Sequence, residues 1–157
     1  MTETASWATH DFKAAQGSLF RRFLKFWEDA AKTVPRDNTG CEFDMHVREG
    51  VADSGAATLA HLSTRTGSDE TQRIFFIGET SDGLPDADGV PDPSNGWIML
   101  LLSAAETRDI APSKAIKPKQ FPFESTFYYD IELTEPGGDP DRILAGEFVL
   151  SHEVTRR

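Results

Sequence analysis

The residue spacing most suggestive of chemistry lies in an acidic stretch from residue 80 to residue 95, with the sequence TSDGLPDADGVPDPSN. Within this stretch the pattern Asp-Gly-apolar-Pro-Asp occurs twice, and its four aspartates are Asp82, Asp86, Asp88 and Asp92. Calcium prefers hard oxygen ligands, and aspartate carboxylates supply them in many calcium loops. The repeat therefore makes these four residues candidate calcium ligands, and calcium is the only cofactor that the sequence suggests.

This pattern resembles the loops of thrombospondin type 3 calcium repeats, but the array is short. An EF-type loop that began at any of the first three aspartates would lack the bidentate glutamate at its twelfth position. Aspartate, glycine and proline are also the residues that form tight turns, each for its own conformational reason. A solvated acidic turn is therefore the competing interpretation of the same residues.

Other patterns of catalytic or metal-binding residues are missing from the sequence. It contains no GxSxG elbow, no phosphate-binding GxxxxGK[ST] loop and no dinucleotide-binding GxGxxG. Cys41 is the only cysteine, so neither an internal disulfide nor a cysteine-based zinc site can form. The histidines lie on separate segments, although His46 and His61 could face each other across two strands. We therefore predict that the chain is not an enzyme.

Composition limits the class of protein further. The chain has 157 residues, of which 38% are apolar, and this suits one globular domain over residues 1 to 157. Its formal net charge of −10 argues against a nucleic-acid surface, because phosphate binding needs clustered Lys and Arg. The sequence contains no apolar run long enough for a membrane span and no signal-peptide pattern, so we expect neither.

Alternating apolar residues predict β-strands after residue 40. Two segments show the half-buried pattern most clearly, with apolar positions at Cys41, Phe43, Met45 and Val47, and at Phe127, Tyr129, Ile131 and Leu133. Shorter β-rich runs are predicted over residues 58 to 64, 73 to 78, 97 to 103 and 143 to 151. Ser103 and Glu106 have capping-box spacing and predict one short helical turn. Many short strands with little helix favour a sandwich or a barrel.

The segment QGSLFRRFLKFWED, residues 16 to 29, fits two structures. Read with helical period, Phe20, Phe23, Leu24 and Trp27 lie on one face. Read with period two, alternation is present but less regular. The helix interpretation would make the chain a cytosolic α+β module with a ligand pocket between that helix and the sheet, whereas the strand interpretation adds a strand to the sandwich. Residues 18 to 28 alone leave both open.

Several segments in order resemble a group of small tailed-phage virion proteins, similar to the amino-terminal domains of upper-baseplate proteins. The resemblance rests on QGSLFRRFLKFWED, NTGCEFDMHVR, WIMLLLSAAET, FYYDIELTEPGG and RILAGEFVLSHEVTR, and it spans roughly residues 11 to 156. It implies an immunoglobulin-like antiparallel β-sandwich of about eight strands, and it favours strand for the ambiguous segment. The chain departs from the group in the acidic insertion of residues 80 to 95 and in the Pro- and Lys-rich segment of residues 110 to 123.

The resemblance also implies a function. A member of this group would be a structural component of the virion, assembled in the cytoplasm of the bacterial host, and would act as a tail or baseplate adaptor that holds fibre or receptor-binding proteins. Its partners would be other virion proteins in symmetric copies, with no nucleic acid and no membrane. A capsid decoration or head-tail connector protein is the alternative within the same class.

Overall fold

Two β-sheets pack face to face in the computed structural model, which describes residues 8–50, 58–65, 71–110 and 124–152. The strands in chain order are β1 (Ala8–Thr9), β2 (Phe12–Ala15), β3 (Phe20–Lys25), β4 (Glu42–Arg48), β5 (Thr58–Ser63), β6 (Ile74–Phe76), β7 (Gly78–Glu79), β8 (Pro85–Asp86), β9 (Trp97–Leu102), β10 (Glu124–Thr134) and β11 (Asp141–Ser151). Helix α1 (Ala104–Asp109) follows β9. The predicted all-β sandwich with a short helical turn is confirmed.

The order of the strands is that of an immunoglobulin-like sandwich. The smaller sheet has the order β3-β9-β6, and the larger sheet has the order β1-β11-β10-β4-β5, with β2 also paired to β11. In the strand letters of the immunoglobulin fold, β3-β9-β6 corresponds to B-E-D, and β11-β10-β4-β5 corresponds to G-F-C-C′. The first two strands run parallel to β11, whereas the remaining pairs of both sheets are antiparallel.

The core lies between the sheets and uses the alternation predicted from the sequence. On β4, Phe43, Met45 and Val47 are fully buried, and on β10 the inward positions begin with Phe127. Leu144, Phe148 and Leu150 of β11 are buried as well, which confirms the prediction for the last strand. Because side chains alternate between the two faces of a strand, the residues between these positions point away from the core.

The ambiguous segment forms a strand. In β3, Phe20 pairs with Leu102 of β9 and is almost completely buried, and Leu24, four positions further along the strand, packs against the core. The helical interpretation, and with it the α+β fold of the alternative ligand-binding module, is therefore wrong. The segment does have apolar residues at helical spacing. Pairing with β9 nevertheless stabilises the strand through backbone hydrogen bonds and burial, and this outweighs the local preference for a helix.

Helix α1 begins with the predicted capping box. The Ser103 hydroxyl accepts a hydrogen bond from the backbone N–H of Glu106, and the Glu106 carboxylate accepts one from the backbone N–H of Ser103. The buried Thr107 then fixes the helix to the turn before β3, because its hydroxyl accepts from the Gly17 N–H and donates to the Ser18 carbonyl.

Gly146 marks the place where the chain crosses over the last strand. Between β1 and β2 the His10 carbonyl lies directly against Gly146, where an added Cβ would collide with it. The Tyr129 hydroxyl donates to this same carbonyl. Beside it, the Asp11 carboxylate accepts the Glu147 N–H at 2.9 Å, so a side chain completes the ladder where the backbone bends away.

We expect Gly146→Ala to lower the free energy of unfolding by about 1–3 kcal/mol, because the methyl group forces the His10 carbonyl out of place. Urea denaturation monitored by circular dichroism measures this change. Gly138→Ala is the matched control, since a Cβ there meets its nearest atom at 3.4 Å. Equal stability of the Gly146→Ala variant and the wild type would contradict this account of the crossing.

Candidate functional site

The acidic insertion folds into a small hairpin at one end of the sandwich. Strand β7, directly before the insertion, pairs with β8 inside it, and a 3-10 turn, Pro93–Asn95, leads into β9. Asp92 caps this turn, since its carboxylate accepts from the Ser94 N–H at 2.9 Å and from the Ser94 hydroxyl at 2.6 Å. These hydrogen bonds lower the pKa of Asp92 below its ordinary value, and the bond from the Ser94 hydroxyl has the largest effect. Asp86 similarly accepts from the backbone N–H of Asp88.

The carboxylates of two of the four candidate calcium ligands, Asp86 and Asp92, therefore accept hydrogen bonds within local turns. Within the described ranges, no three His, Cys, Asp or Glu side chains are grouped so that they could hold a metal ion. The four aspartates of the repeat are thus not brought together as a ligand set, and calcium binding stays a prediction. The central apolar residues of the two repeats, Leu84 and Val90, are 59% and 84% exposed.

A charged network covers the outer face of the larger sheet. Asp130 on β10 pairs with Arg48 of β4 at 3.0 Å and with Arg142 of β11 at 3.2 Å. Although Asp130 points away from the core, it is only 4% exposed. The two guanidinium groups lie over the carboxylate and supply the compensating charge that a buried carboxylate needs.

A second buried carboxylate lies beside a pair of histidines. Asp44 accepts hydrogen bonds from His61 at 2.9 Å and from Arg65 at 2.8 Å, and it is 8% exposed. Burial alone would raise the pKa of Asp44, but the hydrogen bonds from Arg65, His61 and Ser63 outweigh it and hold the pKa below its ordinary value.

The imidazole rings of His46 and His61 stack face to face, with centroids 4.4 Å apart and planes inclined by 6°. Their strands bring them directly opposite each other, as the sequence suggested they could be. Burial is the main cause that lowers the pKa of His46, and the neighbouring His61 and Arg48 lower it further. The Nδ1 atom of His46 is buried without a hydrogen-bond partner among the described residues. This arrangement favours neutral His46.

The outer face of the smaller sheet has the opposite character. On β9 and β6, and at Phe23 of β3, half-buried apolar side chains point outward between the inward residues. We call this set the apolar face, and it consists of Phe23, Phe75, Trp97, Met99 and Leu101. None of the five belongs to the core or to the partly buried residues that pack against it. Met99 occupies the centre, paired with Phe23 on one side and Phe75 on the other.

Cations and one carboxylate border the apolar face. The Lys25 ammonium lies 4.4 Å from the centroid of the Trp27 ring and 5.5 Å from that of the Trp97 ring. It also pairs with Glu79 at 2.6 Å, and the same carboxylate accepts the indole N–H of Trp97 at 2.7 Å. Positive charge held over aromatic rings, with a polar rim around an apolar centre, is typical of protein-interaction surfaces.

The apolar face was not predicted from the sequence. The available signal was the run WIMLLL over β9, which is apolar at every position and shows no alternation. A strand of that kind is usually covered on both faces, whereas a strand with one solvated face alternates with polar residues. The run therefore predicted a covered strand but could not say what covers its second face.

A scan against models of protein families found no match to this chain, and a search of curated proteins found no significant relative. Among the described residues, no helix is both long and apolar enough to cross a bilayer.

We expect stability to fall as the pH is lowered from about 7.5 to about 5.5. The pKa of His46 is lowered in the folded state, so the unfolded state binds more protons once the pH falls below the ordinary histidine value. The stability contributed by neutral His46 is thus complete above that value and is lost as the pH falls towards the folded pKa. Urea denaturation at several pH values measures the slope.

The variant His46→Gln should show a shallower decline of stability with acidification, because it removes the titrating ring. Some decline remains, since burial also lowers the pKa of His152. The matched control His10→Gln changes an exposed histidine and should keep the wild-type slope. Equal slopes for His46→Gln and the wild type would contradict the assignment.

We expect Asp92→Ala to cost about 1 kcal/mol of stability, the usual effect of removing a capping side chain. Asp82→Ala, at an exposed position of the same repeat, should change stability by less than about 0.5 kcal/mol. Thermal denaturation with and without calcium chloride compares the two variants with the wild type. A calcium-dependent stabilisation that both variants abolish would instead support the ligand set predicted from the sequence.

Proposed function

We propose that this chain is a structural subunit of a tailed-phage virion that acts by binding other protein chains, and that it sits at the tail or baseplate. The observation that carries the proposal is the apolar face, with Met99 at its centre. A sheet face that is exposed to solvent usually carries polar residues at its outward positions. Contiguous apolar patches with a polar rim, in contrast, mark surfaces that another protein covers.

The chemistry of the apolar face suits a protein partner. Phenylalanine, tryptophan and methionine are enriched in interface cores, and methionine adapts its shape to a partner surface. Full burial of one such side chain contributes about 1.5–3 kcal/mol relative to full exposure, and these side chains are already half-buried. Several of them covered together would supply a useful part of the free energy of assembly, and the cations at the rim would fix orientation.

The virion setting comes from the resemblance in the sequence, which the immunoglobulin-like strand order supports without being specific to it. Within a virion, symmetric copies would present the same apolar face to equivalent neighbours. Capsid decoration and head-tail connection would use the same surface chemistry. The position in the particle distinguishes these roles from a tail or baseplate adaptor.

Cryo-electron microscopy of purified phage particles, supported by immunogold labelling, tests the proposal. Ordered copies at the tail or baseplate, with the apolar face against a neighbouring subunit, are the expected result. Ordered copies on the capsid or at the neck would move the function to decoration or connection. Particles without this chain would refute the virion role.

We expect Met99→Asp to abolish incorporation of the chain into particles, because it places a carboxylate in the centre of the apolar face. Met99→Leu keeps the face apolar and should be incorporated normally, so it is the matched control. Quantitative immunoblotting of purified particles measures incorporation. Since residue 99 points away from the core, thermal denaturation should show both variants folded; incorporation of folded Met99→Asp at the wild-type level would show that this face is not the interface.

A further inference from the structure

One edge of the smaller sheet is open in the part of the chain that the structure describes. Strand β3 pairs with β9 on one side, and no described strand pairs with its other side. In an immunoglobulin sandwich the strand before B occupies this position, giving the order A-B-E-D. Here β1 and β2 both pair with β11 of the larger sheet, so they do not fill it.

The backbone of β3 presents hydrogen-bonding groups at this edge. The Phe26 N–H donates to the Gly96 carbonyl at 2.9 Å, so position 26 faces β9. Because successive residues of an antiparallel strand face alternate sides, the N–H and C=O groups of Arg21, Phe23 and Lys25 point towards the open edge. The Arg21 carbonyl already accepts a hydrogen bond from the Arg22 guanidinium, so the groups of Phe23 and Lys25 form the template for an additional strand.

A groove runs beside this edge between the two sheets. It has a volume of about 420 Å³, and its apolar lining includes Ala8 of β1, Leu24 and Phe26 at the end of β3, Trp27, and Leu144 of β11. An extended segment paired with β3 would place alternate side chains towards this groove and the others towards solvent. The groove thus favours apolar residues at every second position of the added strand.

The charged side chains near this edge favour some extended segments over others. Arg21 and Lys32 are exposed cations there, and the Arg22 guanidinium reaches along the edge to the carbonyls of Arg21 and Lys13. The Asp29 carboxylate also lines the groove, where it accepts hydrogen bonds from the backbone N–H groups of Thr33 and Val34.

Two copies of β3 paired with each other would set like charges across the new pair of strands, which is destabilising. An acidic strand would meet opposite charges instead. The cations therefore disfavour self-association through this edge and favour an acidic partner, even though the chain as a whole carries a net charge of −10.

We infer that the β3 edge binds an extended acidic segment of another protein by strand addition, with its alternate apolar side chains in the groove against Leu24 and Leu144. In the virion this segment would belong to a neighbouring subunit, and that source rests on the proposed function. The added strand would complete the four-stranded order of the smaller sheet.

The test uses the full-length chain and synthetic capped octapeptides. The probe alternates Glu and Val, one matched peptide alternates Lys and Val, and a third repeats the Glu-Val sequence with N-methyl groups on one edge to block strand pairing. Isothermal titration calorimetry should show binding of the Glu-Val peptide, at least about tenfold weaker binding of the Lys-Val peptide, and loss of binding on N-methylation.

Variants test the location of the bound peptide. Arg21→Glu should weaken binding of the Glu-Val peptide by about tenfold or more. Arg108→Glu makes the same charge change at an exposed position at the end of α1, and should bind like the wild type. Equal affinities for these two variants, or equal binding of the plain and N-methylated peptides, would overturn the inference.

Two further outcomes separate the possible occupants. If the peptide binds only after residues 1–7 are replaced by a Gly-Ser sequence, the edge belongs to the chain's own amino-terminal segment and the inference of a partner strand fails. If the chain is present in particles but the peptide does not bind, strand addition fails while the virion role stands. If the peptide binds but the chain is absent from particles, strand addition at the β3 edge stands, and the claim that the added strand comes from a virion subunit fails.

Discussion

The pairing of β10 with β11 is the interaction on which the rest of the structure depends. Both strands are 11 residues long, and they remain in antiparallel register over almost their whole length. Strand β4 pairs with the free side of β10, whereas β1 and β2 pair with the free side of β11. On the inner side, Phe127 lies opposite Phe148. Loss of this pair of strands would remove both the frame of the larger sheet and seven of the twenty residues that form the described hydrophobic core.

The outer faces of the two sheets differ in the kind of side chain that covers them. On the larger sheet the chain covers its own surface, since Asp44 and Asp130 are buried under guanidinium and imidazole groups. Removing one partner from such a network leaves a charge uncompensated, which makes the network sensitive to protonation. On the smaller sheet the residues around Met99 are half-buried and apolar, and they do not belong to the described core. The internal ionic network thus occupies one face, while the surface suited to a second molecule occupies the other.

Much of the fold follows from local patterns, because alternation at Phe43, Met45 and Val47 and the spacing of Ser103 and Glu106 directly reflect strand and cap geometry. The segment around Phe20 could not be assigned locally, since its helical period competes with pairing to a strand more than 70 residues away. Strand register decides which side chains meet, so the stacking of His46 on His61 was only a possibility before β4 and β5 were aligned. The open edge of β3 depends on where β1 and β2 pair, which no local pattern records.

The hairpin of the acidic insertion is closed at its base by Ile77. Its carbonyl accepts the side-chain amide of Asn95 at 2.8 Å and the backbone N–H of Asp92 at 3.3 Å. These bonds hold the two ends of the loop together independently of what lies between them. Doubling the length of a flexible loop costs only about 0.6 kcal/mol when its ends are already held. The tip near Leu84 is thus a natural insertion point, where an epitope or fluorescent reporter can be carried without altering either sheet.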